Sequence, residues 1–131
     1  MIAMPDEFEL DKVVMSSLSR LGFKAKSYLR YEDHSDIFGE FRPTAPFTIP
    51  TRTMVEISRV IPDFATIDGF YNQAKNAQCE KTILILQDPA KLDRESKTLA
   101  SKYGIEIWSS IELMSNCLLY TSPSPRDRTR S

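Results

Sequence analysis

The stretch KTILILQ, residues 81–87, constrains the fold of this chain more than any other. It is a continuous apolar run of strand length, whereas a half-buried strand alternates apolar and polar residues. An unbroken run of this kind is typical of a strand that is covered on both faces of its sheet. The stretch therefore predicts an α/β protein whose sheet is covered by helices.

Hydrophobic spacing along the rest of the chain predicts the order of elements. Apolar residues three and four apart indicate helices, and alternation over short runs indicates strands. Gly22 and Gly104 are placed to end two of the helices. The predicted order is α-β-β-β-α-β-α-β, with helices over 10–21, 67–77 and 92–103, and strands over 23–31, 36–41, 51–58, 81–87 and 105–108.

Composition limits the class of protein. The chain of 131 residues is 41% hydrophobic and 27% charged, which is typical of one globular domain. No apolar run approaches the ~20 residues that span a bilayer, and the acidic N-terminal MIAMPDEFEL differs from a signal peptide. We expect a cytoplasmic protein.

The last fifteen residues, CLLYTSPSPRDRTRS, change abruptly to Ser, Pro, Thr and Arg. This segment, 117–131, resembles translated sequencing-adapter read-through, and we interpret it as a non-native, disordered tail. One domain is then expected over 1–116, with a native chain that continued past Asn116. Without the tail, 14 basic and 17 acidic residues remain, and Cys79 is the one cysteine, so neither a disulfide framework nor a cysteine metal cluster is expected.

Two acidic residues lie on neighbouring predicted strands. Asp36 begins the second strand, and Glu56 lies on the third, TRTMVEIS, with Ser58 on the same face two residues later. Carboxylates on adjacent strands can converge, and one or two carboxylates commonly hold Mg²⁺ beside substrate phosphate oxygens. The chemistry indicated is hydrolysis of a phosphodiester.

These features together resemble the PD-(D/E)XK nuclease superfamily, with its restriction-endonuclease-like three-layer fold and central mixed sheet. The resemblance rests on the element order, on Asp36, on VEIS in place of a V-E-C-K strand, and on the polar helix that carries Gln73. LDKVVMSSLSRLGF and residues 81–113 are similar to the Mrr-like branch. The resemblance implies Asp36 and Glu56 as ligands of Mg²⁺ or Mn²⁺, Gln73 as a site residue, and Asp11 as an acid that assists the metal.

The chain departs from the superfamily at Ser58, where a lysine is usual. A neutral hydroxyl supplies no positive charge to the scissile phosphate. Arg59 points to the opposite face of a regular strand and could substitute only through a bulge. Lys75, two residues from Gln73, is the candidate replacement, since superfamily members sometimes carry the lysine on another element.

The expected substrate is DNA. Lys24, Lys26 and Arg30 are predicted to form a basic stripe on one face of the first strand, suited to a phosphate backbone. Double-strand cleavage usually needs two copies, so a homodimer is plausible on chemical grounds. The resemblance to the Mrr-like branch also allows a separate recognition domain.

Two functions remain open at this level. The first is a divalent-metal-dependent DNA endonuclease, or the nuclease domain of a restriction or defence protein. The alternative is a catalytically inactive nuclease fold that serves as a binding or regulatory module, with Ser58 as the mark of the loss. An unrelated receiver-type α/β domain has less support, since no acidic cluster follows the first strand.

His34 is interpreted as a loop residue, and Gly39 as a residue that eases strand packing.

Overall fold

The computed structural model describes residues 6–42 and 49–113, so the proposed tail at 117–131 lies outside the described residues. In chain order the elements are α1 (Asp6–Arg20), β1 (Phe23–Arg30), β2 (His34–Phe41), β3 (Thr51–Ser58), α2 (Phe64–Asn76), β4 (Lys81–Leu86), a 3₁₀ turn (Pro89–Lys91), α3 (Arg94–Tyr103) and β5 (Glu106–Ser109). The predicted order is confirmed. No helix in this part of the chain has the length and apolar character needed to cross a membrane.

The five strands form one mixed sheet in the order β1-β2-β3-β4-β5. The first three are antiparallel neighbours, as short connections allow. Strands β3, β4 and β5 are parallel, and α2 and α3 provide the crossovers that parallel pairing requires. The prediction of a central mixed sheet is confirmed.

Two apolar clusters cover the two faces of the sheet. On one face, Val14 and Leu18 of α1 pack with strand residues that include Ile83 and Ile85. On the other face, α2 and α3 pack with residues that include Leu84 and Leu86. Alternate residues of β4 therefore enter opposite clusters, which is why KTILILQ is apolar throughout.

The edge strand β1 contains a register shift between Ala25 and Ser27. The extra residue reverses the alternation of side chains beyond it. Tyr28 consequently packs into the α1 cluster, while Leu29 is 55% exposed, which is the reverse of the alternation expected from the sequence.

Gly39 on β2 pairs with Ala25, and a Cβ at Gly39 would lie 2.2 Å from the carbonyl oxygen of Lys24. Gly39 thus permits the close backbone approach beside the bulge.

Candidate metal centre

Asp36 and Glu56 are direct cross-strand partners in the antiparallel pairing of β2 with β3. We call them the carboxylate pair. Paired residues of antiparallel strands project from the same face, here the face that α2 and α3 cover. Both are buried, with relative exposures of 6% and 4%. Acidic side chains are rarely buried to this extent without a partner of opposite charge or a metal.

His34 completes a three-residue group with the carboxylate pair. One ligand atom from each of His34, Asp36 and Glu56 lies within 4.8 Å of the others. Nε2 of His34 is 3.7 Å from Oδ2 of Asp36, and Nδ1 is 2.6 Å from Oδ1 of Asp33. The imidazole also stacks on the ring of Tyr31, with centroids 4.7 Å apart. The ring is therefore oriented by neighbours on both sides.

The pKa values of the carboxylate pair show that negative charge is disfavoured here. Burial, followed by the charge of Asp36, raises the pKa of Glu56 to about 8. Burial also raises the pKa of Asp36, against the opposing effects of His34 and of hydrogen bonds with Gln73 and Glu56. Two buried carboxyl groups in contact cannot both ionise cheaply unless a cation joins them. The electrostatics therefore favour a bound cation between them.

The donor atoms fit a divalent metal. Within the described residues, Oδ1 of Asp36 is a buried oxygen without a hydrogen-bond partner. Such an orphaned carboxylate oxygen is costly unless an ion completes its coordination. Two carboxylates and one imidazole are common ligands of divalent metals. Asp36, Glu56 and His34 are thus the residues that could hold the ion.

Ser58 lies beside the carboxylate pair without supplying charge. It pairs with His34 across the strands, and its hydroxyl donates a 2.6 Å hydrogen bond to the carbonyl oxygen of Val60. A cleft of about 210 Å³ opens here, lined by Asp33, His34, Glu56, Ser58, Val60, Ile61, Pro62, Asp63 and Thr66. A neighbouring cleft of about 310 Å³ shares Ser58 and Val60 and includes Lys91. A lysine on the 3₁₀ turn after β4 thus borders the same region as Ser58.

No protein-family model matches the chain, and no curated protein matches it. Among solved structures, the chain is similar to the DNA modification-dependent restriction endonuclease AspBHI, with a TM-score of 0.56 and 11% sequence identity. The likeness covers 93% of this chain and 37% of that chain, so the chain spans little more than a third of AspBHI's length. This protein has a restriction-endonuclease-like fold. At 11% identity the likeness concerns the fold alone.

In this restriction-endonuclease-like fold, Gln73 meets the carboxylate pair and Lys75 does not. The Gln73 side chain interacts with the Asp36 carboxyl group and lowers its pKa. Residues two apart on a helix point in nearly opposite directions. Lys75 accordingly lies over the ring of Tyr71, with Nζ 5.8 Å from its centroid, and Tyr71 stacks on Tyr103 of α3. Lys75 therefore points away from the carboxylate pair, unlike the position predicted for it from the sequence.

Asp11 does not join the carboxylate pair either. It is 1% exposed, and it accepts hydrogen bonds from the hydroxyls of Tyr28 and Ser35, the latter at 2.6 Å. Because Ser35 precedes Asp36 on β2, its side chain points to the opposite face of the sheet. The sheet separates Asp11 from the metal centre, and the expected metal-assisting role has no geometric support. The Asp11 carboxylate is instead buried against β1 and β2.

Arg59 lies on the Asp11 side, as strand alternation predicts. Its guanidinium donates to Asp11 at 3.4 Å, to Ser35 Oγ at 3.0 Å and to the carbonyl oxygen of His34 at 2.8 Å. It also donates to the carbonyl oxygens of Tyr31 and Glu32. The Arg59 guanidinium therefore binds the β1–β2 turn and is not directed at Ser58.

The predicted basic stripe on β1 is broken by the bulge. Lys24 pairs in register with Glu40, and Arg30 pairs with Ser35, so the two basic residues lie on opposite faces. Lys26 forms an ion pair with Glu40 at 3.3 Å, and Arg30 lies 3.7 Å from Asp11. Lys24, Lys26 and Arg30 therefore do not form one surface for a phosphate backbone.

The sequence alone predicts His34 as a residue of a polar loop. In the structure, β2 begins at His34 itself, beside the carboxylate pair. A strand beginning there places residues 34 and 36 on one face, two positions apart. The spacing His-x-Asp opposite Glu-x-Ser was the signal that could have identified it.

Proposed function

We propose that this protein is a divalent-metal-dependent nuclease that hydrolyses phosphodiester bonds in DNA. The observation that carries the proposal is the buried carboxylate pair with His34 beside it, at the edge of a cleft in a restriction-endonuclease-like fold. DNA as the substrate is supported by the name of the similar restriction endonuclease. The Mrr-like branch, a homodimer for double-strand cleavage and a separate recognition domain are further parts of this proposal.

Each residue of the centre has a distinct role in the proposed reaction. Asp36 and Glu56 would hold Mg²⁺ or Mn²⁺, and Gln73, whose side chain lowers the pKa of Asp36, would orient the Asp36 carboxylate. The bound ion would lower the pKa of the attacking water and neutralise charge on the phosphate. The hydroxyl of Ser58 is already donated to Val60, so it serves the structure of the cleft wall.

We assign the positive charge beside the phosphate to Lys91. It borders the cleft that contains Ser58, whereas Lys75 lies over Tyr71 and Arg59 is bonded to the β1–β2 turn. A cation near a developing phosphorane stabilises the negative charge of the transition state. Lys91→Gln is expected to lower the cleavage rate about 100-fold, the size of losing one such group. Lys97→Gln on the exposed side of α3 is the matched control, with little change expected.

Cleavage of supercoiled plasmid tests the proposed function. The full chain is incubated with unmodified and with methylated plasmid in Mg²⁺, Mn²⁺ or EDTA. We expect nicked or linear product with metal, none in EDTA, and none from Glu56→Gln or Asp36→Asn, which keep the side-chain size but remove the charge. Glu40→Gln, which removes a carboxylate from β2 outside the metal centre, should cleave at the wild-type rate.

Persistent metal-dependent cleavage by Glu56→Gln would overturn the assignment of the site. A wild type that never cuts, combined with cutting by Ser58→Lys, would instead establish the inactive-module alternative, because a lysine at 58 would extend into the 210 Å³ cleft beside Glu56. These outcomes separate a lost catalytic charge from a wrongly assigned metal centre.

A further inference from the structure

We propose that His34 is a third ligand of the metal, and that the centre therefore prefers ions that accept nitrogen, such as Mn²⁺ and Zn²⁺, over Mg²⁺. This inference rests on the metal centre of the proposed function and extends it to the choice of ion. It concerns a residue that the resemblance to known nucleases did not assign. The three ligand atoms already lie within 4.8 Å of one another.

The neighbours of His34 leave the correct ring nitrogen available. Oδ1 of Asp33 is 2.6 Å from Nδ1, and an ionised carboxylate can only accept. In the neutral ring the proton therefore sits on Nδ1, and the lone pair sits on Nε2, the atom 3.7 Å from Asp36. A carboxylate behind a ligating histidine is a recurrent arrangement in metal sites.

The fold also holds the imidazole in place before any ion binds. The imidazole ring stacks on Tyr31 at an interplanar angle of 21°. The backbone carbonyl oxygen of His34 accepts a hydrogen bond from Arg59. The pairing of β2 with β3 places His34 directly opposite Ser58. The small side chain of Ser58 leaves the cleft open. A ligand that is already oriented loses less conformational entropy when the ion binds.

Ligand chemistry then sets the preference among ions. Mg²⁺ strongly favours oxygen ligands and octahedral geometry, and it retains several waters. Imidazole nitrogen is a good ligand for transition metals and zinc. A site with both nitrogen and oxygen ligands therefore generally binds these ions more tightly than it binds Mg²⁺. A centre with two carboxylates and one imidazole should thus bind Mn²⁺ or Zn²⁺ more tightly than Mg²⁺.

Calorimetric titration with the metals alone, without DNA, measures this preference. The full chain is produced without a polyhistidine tag and titrated with MnCl₂ and with MgCl₂. We expect His34→Phe, which retains a ring to stack on Tyr31, to weaken Mn²⁺ binding at least about 10-fold, and Asp33→Asn to weaken it by a similar factor. Mg²⁺ affinity should change much less in both variants. Glu40→Gln is the control on the same strand.

The wild-type protein provides a second measurement that needs no variant. His34 is the only histidine in the 131 residues, so its ring nitrogen signals in an NMR spectrum are unambiguous. Saturation with Zn²⁺ should shift the Nε2 signal strongly, while equimolar Mg²⁺ should leave it nearly unchanged.

The outcomes distinguish this inference from the proposed function. Mn²⁺ binding that requires Glu56 but is unaltered in His34→Phe, or an unmoved Nε2 signal with Zn²⁺, would overturn the role of His34 and leave the carboxylate centre intact. Absence of any metal binding by the wild type would overturn both proposals. Loss of plasmid cleavage with normal Mn²⁺ binding would contradict the nuclease function alone.

Discussion

At the scale of single residues, the candidate metal centre brings two acidic side chains together in a buried place. Asp36 and Glu56 are placed together by strand pairing, and burial raises the pKa of both. Most buried acids in structural ion pairs have lowered pKa values, because a cation faces them. The direction here is opposite, which distinguishes the carboxylate pair from an ordinary salt bridge.

The raised pKa values predict an unusual pH dependence of stability in the metal-free protein. Glu56 has a pKa of about 8 when folded against an ordinary value of 4.5. The folded protein therefore holds a proton that the unfolded chain has released, and the free energy of unfolding should fall as pH rises from 5 to 8, by up to about 1.4 kcal/mol per pH unit for this one group. Asp36 shifts in the same direction. The lowered pKa values of Asp33 and Asp63 act below this window.

Urea unfolding in EDTA at pH 5, 6, 7 and 8 measures this dependence. Glu56→Gln should flatten the slope, and Glu40→Gln should leave it unchanged. Saturating Mn²⁺ should oppose the slope, because metal binding requires ionised carboxylates and strengthens as pH rises. Stability that rises with pH in the metal-free wild type would contradict the predicted sign.

At the scale of elements, the backbone of the first two strands decides where side chains point. The bulge after Ala25 turns Tyr28 toward α1 and sends Leu29 to solvent. Gly39 makes this possible because β1 approaches it closely. A bulge with lysines on an edge strand also discourages pairing with other chains.

Gly39→Ala is expected to destabilise the sheet. A Cβ there would lie 2.2 Å from the carbonyl oxygen of Lys24 and 2.7 Å from the Phe23 ring, so β1 would have to move away from β2. Overpacking of this kind costs about 1–3 kcal/mol. Gly69→Ala is the matched control, because a Cβ in the middle of α2 meets nothing within 4 Å and should stabilise the helix by about 0.5–1 kcal/mol.

Thermal or urea unfolding of both glycine variants checks this prediction. The two substitutions add the same methyl group, so they differ only in the space around it and in the element that carries it. A Gly39→Ala protein as stable as the wild type would mean that the strands do not approach this closely.

At the scale of the whole molecule, a buried polar network ties the α1 layer to the sheet. Asp11 bonds to Ser35 and Tyr28 on the strands and to Arg59 beyond β3. The Arg59 side chain is only 4% exposed. The network lies behind the metal centre, and through Arg59 it also holds the carbonyl oxygen of His34. Packing of α1 and the position of His34 are thus linked.

Asp11→Ala is expected to lower the free energy of unfolding by about 3–5 kcal/mol, since it leaves a buried guanidinium without its carboxylate. Lys12→Ala, at the exposed neighbouring position of α1, should cost under about 1 kcal/mol. Urea titration of the two variants at pH 7 compares them. Equal small losses would show that Asp11 contributes no more than a surface charge.

Much of this architecture could be read from the sequence because hydrophobic periodicity is a local property. The strand Thr51–Ser58 and the order of all eight main elements were predicted from spacing. Asp36 and Glu56 could also be paired in advance, since one lies at the start of a strand and the other within the next. Alternation likewise placed Arg59 on the face opposite Glu56.

Only the tertiary structure decided which charged groups meet. A one-residue bulge in β1 reversed its faces and dispersed Lys24, Lys26 and Arg30, and no spacing rule reveals such an insertion. Asp11 and Asp36 were both predicted as metal ligands, but they lie on opposite sides of the sheet. The side on which α1 carries Asp11 depends on the packing of the whole core. The extension of β2 back to His34 placed the imidazole beside Asp36, and the register of β2 against β3 set these two residues opposite Ser58 and Glu56. Contacts between distant residues are set by register and by which face a helix covers, and those are properties of the assembled sheet.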